Sequence, residues 1–234
     1  MRVLGLVPAR GGSKGVPRKN VRALQGRPLL AWTAEAALAA RGLARVVLST
    51  DDEAIAEVGR ACGLEVPFVR EPALARDDTP MLPVVLDAVR RLEAAGDAFD
   101  AVCLLQPTNP LRTSGDIEAC LQLLRESGAD CVVTVLPVPH AHNPHWVYLG
   151  EPGERLVLAT GEAQPIARRQ ALPSAWHREG SVYVTRRGAL AAGSLYGTHV
   201  VGHPIDPARS VNIDDLDDWA RAEALLAADV AGVS

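Results

Sequence analysis

The sequence predicts an α/β fold: a doubly wound, mostly parallel sheet with one small β-hairpin arm. Three observations predict it. Short β-rich apolar runs alternate with longer stretches of helical periodicity through residues 3–136. Several of those runs are almost uninterrupted apolar residues, as in strands covered on both faces. The chain of 234 residues is 48% hydrophobic and 22% charged, which suits one domain with its own core and excludes a collagen, a coiled coil or a disordered chain.

Strands are expected at Val3–Val7, Arg45–Ser49, Val66–Val69, Ala101–Leu105 and Cys131–Leu136. Helices are expected between them, at Leu29–Ala40, Glu53–Cys62, Leu82–Ala95 and Gly115–Ser127, with Asp51 or Asp52 and Ser114 as N-caps. The rhythm breaks after Leu136. Residues 137–178 are rich in proline and histidine, and within them Trp146–Leu149 and Arg155–Ala159 flank Gly150-Glu151-Pro152-Gly153-Glu154 as a hairpin. This segment is too small to own a core, so it reads as an arm within a single domain spanning 1–234. A strand at Ser181–Thr185 resumes the sheet, and a last helix runs from Leu216 to Ala228.

A net charge of −4 without a block of like charge argues against a general nucleic-acid or membrane surface. No apolar run approaches the ~20 residues of a membrane helix, and Val3–Val7 is too short for a signal peptide, so the expected location is the cytoplasm. Cys62, Cys103, Cys120 and Cys131 form no CxxC pair and are expected as small core residues. His140, His142 and His145 lie on a proline-broken loop that sets no ligand geometry.

The chemistry concentrates in the loop after the first strand, Pro8-Ala9-Arg10-Gly11-Gly12-Ser13-Lys14-Gly15-Val16-Pro17-Arg18-Lys19-Asn20. Glycines let backbone amides approach an anion, Ser13 adds a hydroxyl donor, and Arg10, Lys14, Arg18 and Lys19 supply positive charge. Of 24 basic residues in the chain, the only lysines are Lys14 and Lys19. Their clustering reads either as chance or as two positions that call for a compact ammonium rather than a planar arginine fork. The loop lies at a strand's carboxyl end, where open α/β sheets bind ligands, and suits a polyphosphate. It is neither a GxxxxGK[ST] loop nor a GxGxxG fingerprint.

Further blocks follow in order: Leu48-Ser49-Thr50-Asp51, then Leu104-Leu105-Gln106-Pro107-Thr108-Asn109-Pro110-Leu111-Arg112. After them come Arg169-Gln170 with Leu172-Pro173, Gly180-Ser181-Val182-Tyr183, and Val211-Asn212-Ile213-Asp214. Pro107 and Pro110 force the chain off the strand end, which is expected to expose Gln106 and Arg112. Alternation puts Asn212 and Asp214 on one face. Asp215, Asp217 and Asp218 are placed to cap the last helix.

With the first loop, these blocks resemble the acylneuraminate (CMP-sialic acid) cytidylyltransferases, and the likeness spans almost the whole chain. It implies a nucleotide-diphospho-sugar transferase-like fold and an enzyme in which a sugar's anomeric hydroxyl attacks the α-phosphate of CTP and pyrophosphate leaves, with Mg²⁺ assisting. By resemblance, Arg10, Gly12, Ser13, Lys14, Lys19, Asn20 and Arg70 bind the nucleotide, and Arg10, Lys19 and Asp214 are the catalytic candidates. Gln106, Arg112, Arg169, Gln170 and Tyr183 are assigned to the acidic nine-carbon keto-sugar, and Asp214 with Asn212 to the metal. The family usually presents two aspartates where this chain has Asn212 first, and a neutral amide is the weaker ligand. The family also implies a homodimer, with residues 137–178 as the arm that crosses to the partner.

The sugar side diverges. Trp176-His177-Arg178-Glu179-Gly180 stands where sialic acid synthetases commonly show an aromatic, Arg, Pro, Asn, Gly run. Glu179 would repel an acidic sugar unless it is turned away or paired with Arg178. The expected sugar is therefore a relative of sialic acid, of the legionaminic or pseudaminic type. Thr79-Pro80-Met81 lacks the serine found near the base in some members, so the preference for cytosine comes from the resemblance alone. Alternatives are a Kdo-type or GTP-using relative, or a non-catalytic nucleotide-binding regulator, which Asn212 would favour.

Overall fold

The computed structural model describes residues 1–12 and 14–231, with the side chains of 229–231 left aside. Its central sheet has six strands in the order β10-β6-β9-β5-β1-β4. They are β1 (Val3–Pro8), β4 (Arg45–Ser49), β5 (Ala101–Leu104), β6 (Cys131–Pro137), β9 (Trp176–Arg186) and β10 (Val200–Pro204). The pairs β1/β4, β1/β5 and β6/β10 are parallel, whereas β9 runs antiparallel between β5 and β6. Two small ribbons lie outside the sheet: β2 (Ala23–Leu24) with β3 (Arg27–Pro28), and β7 (Tyr148–Leu149) with β8 (Val157–Leu158). The second ribbon is the expected hairpin.

Both faces of the sheet are covered, which is why β1 is buried at all six positions. Val3 and Val7 pack with Leu30, Ala34 and Ala37 of α1 (Leu29–Ala39), Ile55 of α2 (Glu53–Ala61) and Ile117, Leu121 and Leu124 of α4 (Ser114–Ser127). Leu4 and Leu6 point the other way, onto Val85, Ala88, Val89 and Leu92 of α3 (Met81–Ala94) and Leu190 of α5 (Arg187–Ala191). Strand alternation thus feeds two apolar layers from one short run.

The caps are partly as expected. Asp52 caps α2, its side chain accepting from the Ile55 N–H at 3.1 Å. At α4 the cap is Thr113, one residue earlier than the expected Ser114. Thr113 and Asp116 form a reciprocal capping box that satisfies two otherwise orphaned N–H groups. The strand expected at Val66–Val69 does not form. Only an isolated bridge joins Val47 and Glu65, because Pro67 has no N–H to donate beyond it. Cys103, Cys120 and Cys131 are buried, as expected, while Cys62 is partly exposed.

The order β4-β1-β5 matters most for the site. The chain leaves β1 toward one neighbour and later returns to its other side, so the loop after β1 opens over a topological switch point. A third apolar cluster closes this end of the sheet. Val16 of the loop and Leu29 pack with Val211, Ile213 and with Trp219, Ala222 and Leu226 of α6 (Leu216–Ala231). The C-terminal segment is thereby held against a loop nearly two hundred residues earlier in the chain.

Candidate active site

The loop after β1 is held by its backbone. The Ala9 N–H bonds Ser49 O at 3.0 Å, the Gly11 N–H bonds Asp51 Oδ1 at 3.1 Å, and buried Asn20 donates from Nδ2 to Arg10 O at 3.0 Å. Val16 is fully buried and pins the loop's middle. At Gly15 a Cβ would lie 1.9 Å from the Asp214 carbonyl oxygen, so only glycine lets the loop and the C-terminal segment meet here. At Gly12 a Cβ would meet nothing within 4 Å, so this glycine borders open space. Ser13 lies outside the described residues.

The loop forms one wall of a cleft of about 330 Å³, completed by Arg70, Met81, Gln106, Pro107, Thr108 and Asp214. Arg10, Gly12, Lys14, Lys19 and Asn20 come from the loop itself. Among the described residues four cations, Arg10, Lys14, Lys19 and Arg70, and one carboxylate, Asp214, line this space. Three chain segments meet there: Lys19 Nζ donates to Ile213 O at 2.6 Å, and the Ile213 N–H bonds Thr108 O at 2.8 Å. Burial pushes the Lys19 ammonium below its ordinary pKa, and Arg10 adds to this, while Asp214 and Asp218 pull the other way.

Arg70 is buried beneath the cleft, donating to Ser49 Oγ at 3.1 Å and to the Ser49 carbonyl. Desolvation lowers its pKa, with Asp51 opposing. A residue the sequence reading missed, Asp77, bridges two of the cations. Its Oδ1 lies 2.7 Å from the Arg10 guanidinium and its Oδ2 lies 2.6 Å from Lys14 Nζ. The hydrogen bond from Lys14 holds its carboxyl below the usual range. Two adjacent acids, Asp77-Asp78, near an otherwise cationic site were the available signal.

Arg112 requires a correction. It is buried, not exposed. Its guanidinium donates to Ser181 O at 2.6 Å, to Thr33 Oγ1 at 2.9 Å and to the Gln106 carbonyl. Burial lowers its pKa to about 10, well above neutrality, so the charge persists. Arg112 fixes the path of the Gln106 loop from behind. Arg169 and Gln170 sit exposed on a short 3-10 turn of the arm and do not line the cleft.

Asn212 and Asp214 do share a face, as alternation required. The Asn212 Nδ2 donates to Asp214 Oδ2 at 2.6 Å, which turns its amide nitrogen toward the carboxylate, and Asn212 does not line the cleft. Asp215 and Asp218 cap α6 as expected: Asp215 Oδ1 accepts from the Asp217 and Asp218 N–H groups, each at 2.9 Å. Among the described residues no cluster of three or more His, Cys, Asp or Glu could hold a metal.

A second space of about 180 Å³ adjoins the first, sharing Met81 and Gln106 as lining. Tyr183 borders it with Leu104, Arg178, Leu195 and Tyr196. Glu179 is not among the lining residues. It is turned inward and buried, accepting from Asn109 Nδ2 at 3.0 Å, the Ser181 N–H at 2.8 Å, Ser181 Oγ at 2.7 Å and Ser210 Oγ at 2.9 Å. Glu179 is thus turned into the core rather than paired with Arg178, which donates to the Tyr196 hydroxyl.

Residues 4–191 match the family described as Cytidylyltransferase. The chain is 32% identical to the CMP-N,N'-diacetyllegionaminic acid synthase of Legionella pneumophila, covering 97% of each chain. It is 30% identical to a pseudaminic acid cytidylyltransferase of Campylobacter jejuni, covering 96% of each. Among solved structures, a CMP:2-keto-3-deoxy-manno-octonic acid synthetase complexed with CTP superposes with a TM-score of 0.73 at 17% identity, over 98% of this chain and all of the other.

Proposed function

The chain belongs to the cytidylyltransferase family, a nucleotidyltransferase enzyme, and from that premise we propose that it activates an acidic nine-carbon keto-sugar of the sialic, legionaminic or pseudaminic type with CTP, giving the CMP-sugar and pyrophosphate. The observation that carries this reading is the cleft at the switch point, whose described lining holds four cations and one carboxylate, with Asp77 paired to two of those cations beside it. A triphosphate brings about four negative charges, and such a cradle also stabilises the charge that develops on departing pyrophosphate.

In this reading the sugar's anomeric hydroxyl oxygen forms a bond to the α-phosphorus of CTP. The bond from that phosphorus to the bridging oxygen breaks, the electron pair leaves with pyrophosphate, and the hydroxyl proton is released to water. Arg10, Lys14 and Lys19, with Gly12 and Ser13 of the same loop, hold the phosphates. Asn20 keeps the loop's shape through Arg10 O, and Arg70 supports the cleft floor. Gln106, on the boundary between the two spaces, is positioned to touch both substrates, and Tyr183 lines the sugar side.

A magnesium ion fits this donor set. Mg²⁺ is commonly held by one or two carboxylates together with substrate phosphates. Asp214 offers the carboxylate, whereas Asn212, which lies outside the cleft lining and turns its amide nitrogen to Asp214, would have to rotate to add its oxygen. The ion would neutralise phosphate charge. Asp214 also holds the Lys19 charge in place across the cleft.

The arm supports a homodimer. Its hairpin leaves Tyr148, Leu149, Leu156 and Val157 about half exposed, an apolar group that a second copy would cover. Light scattering of the active protein is expected to show a dimer. Among the described residues no helix is long and apolar enough to cross a membrane, which suits work in the cytoplasm.

The test is pyrophosphate release across sialic, legionaminic and pseudaminic acids with each of the four nucleoside triphosphates. Turnover is expected with CTP, one of these acids and Mg²⁺. Turnover with Kdo or GTP instead would move the enzyme to a neighbouring branch. The Asn212–Asp214 hydrogen bond favours a second reading, a nucleotide-binding regulator. CTP binding without pyrophosphate release at any magnesium concentration would select it.

A further inference from the structure

The second space is lined by an arginine brought there by an irregularity in β9. Val133 and Val135 lie two residues apart on β6, hence on one face. Val133 pairs with Tyr183 of β9, yet Val135 pairs with Arg178, because β9 carries extra residues in a bulge between them. Gly180, at φ +104°, supplies the left-handed backbone that this detour needs. Residues 178 and 183 differ in parity and would face opposite sides of a regular strand. The bulge brings both to the same space, while Glu179 turns into the core.

Among the described residues Arg178 is the one charged residue lining that space. Its guanidinium lies 5.4 Å from the centre of the Tyr196 ring and donates to the Tyr196 hydroxyl. Tyr196 is braced in turn by an edge contact with Tyr183, ring centres 6.2 Å apart. An arginine stacked on an aromatic ring is held in one orientation and keeps further donors free for a planar, two-oxygen anion.

We propose that Arg178 receives the carboxylate of the acidic sugar and that Tyr196 positions it, so that this pair selects acids over neutral sugars. The inference rests on the reading of the cleft as an acid-sugar cytidylyltransferase. In a 2-keto acid sugar the carboxyl carbon is bonded to the anomeric carbon, so an Arg178 that holds the carboxylate also sets the attacking hydroxyl beside it, in the space whose lining includes Gln106 of the nucleotide cleft.

The experiment compares wild type, Arg178→Gln, Arg178→Lys and Tyr196→Phe on whichever of the three acids wild type turns over, and on that sugar's carboxamide. Arg178→Gln is expected to raise KM for the acid roughly tenfold or more, the loss of a charge-assisted hydrogen bond. KM for CTP should stay within about twofold. Arg178→Lys should recover part of the loss, and Tyr196→Phe should give a smaller rise confined to the acid. The carboxamide should be a poor substrate for wild type and should lose little more in Arg178→Gln. Equal losses for acid and carboxamide, or an unchanged KM for the acid, would overturn the inference while leaving the reaction intact. If none of the acids is turned over by wild type, the reading of the reaction falls first and takes the inference with it.

Discussion

The two halves of the cleft are built on different principles. The nucleotide half is built mainly on one continuous loop that carries three of its four cations, pinned by Val16, Asn20 and the bonds to Ser49 and Asp51. The sugar half is assembled from separated pieces: Met81, Gln106, Arg178, Tyr183 and Tyr196. In the proposed reading the first would meet the triphosphate, for which concentrated charge is enough, and the second would tell one sugar from another with two aromatic rings and one oriented cation.

The strongest way to break this contrast is to remove a cation from the first half. Lys19→Ala or Arg10→Ala is expected to lower kcat by about 10²–10³, the usual cost of one lost donor at a developing charge. Both variants should fold normally by circular dichroism. Near-normal turnover in either would remove the catalytic role assigned to it.

Arg112 tests whether the halves are mechanically joined, since its three hydrogen bonds tie the Gln106 loop to β9 and α1. Arg112→Ala leaves those buried acceptors unpaired and should destabilise the protein by about 3 kcal/mol. Denaturant unfolding measures this. A stable variant that loses sugar binding would instead make Arg112 a substrate contact.

Asp77 sharpens the account of the first half. Its carboxylate occupies two cations that the triphosphate must engage. Asp77→Asn is expected to lower KM for CTP roughly twofold to fivefold, the scale of an exposed ion pair. Pyrophosphate should inhibit the variant more strongly, and the sugar's KM should not change. A higher KM for CTP would show that Asp77 assists binding.

The smallest expected effect is a shift in pH. Burial places the Lys19 pKa below the ordinary 10.5. A lysine with a lowered pKa loses its charge as pH rises through that value, so kcat/KM for CTP should fall on the alkaline side at a midpoint below 10.5. Lys19→Arg should move that limb upward, because guanidinium keeps its proton. An alkaline limb that stays in place would exclude Lys19 as its source.

Much of the first half could be read from the chain directly. Pro8 to Asn20 announces an anion loop because glycines, cations and a preceding apolar run are neighbours in sequence. The parallel sheet was legible for the same reason: Val3–Pro8 and Arg45–Ser49 carry their burial in their composition. The errors lie where partners are distant. Arg112 was expected in solvent because Pro107 and Pro110 bend the chain away, yet the loop folds back onto Ser181 and Thr33. Strand β10 was missed, since Val200–Pro204 is short and Gly202 and Pro204 weaken its strand character. It exists because Cys131–Val135 offers a parallel partner.

By itself the sequence determined the alternation of elements, the cationic loop and the class of anion that it suits, because each depends on residues close together along the chain. Tertiary structure alone decided which side of the sheet Arg178 faces, that Glu179 is buried, and that Asp77 stands opposite Arg10 and Lys14. Those outcomes hang on a bulge in β9 and on a loop's return. A register change of one residue reverses the direction of every side chain beyond it.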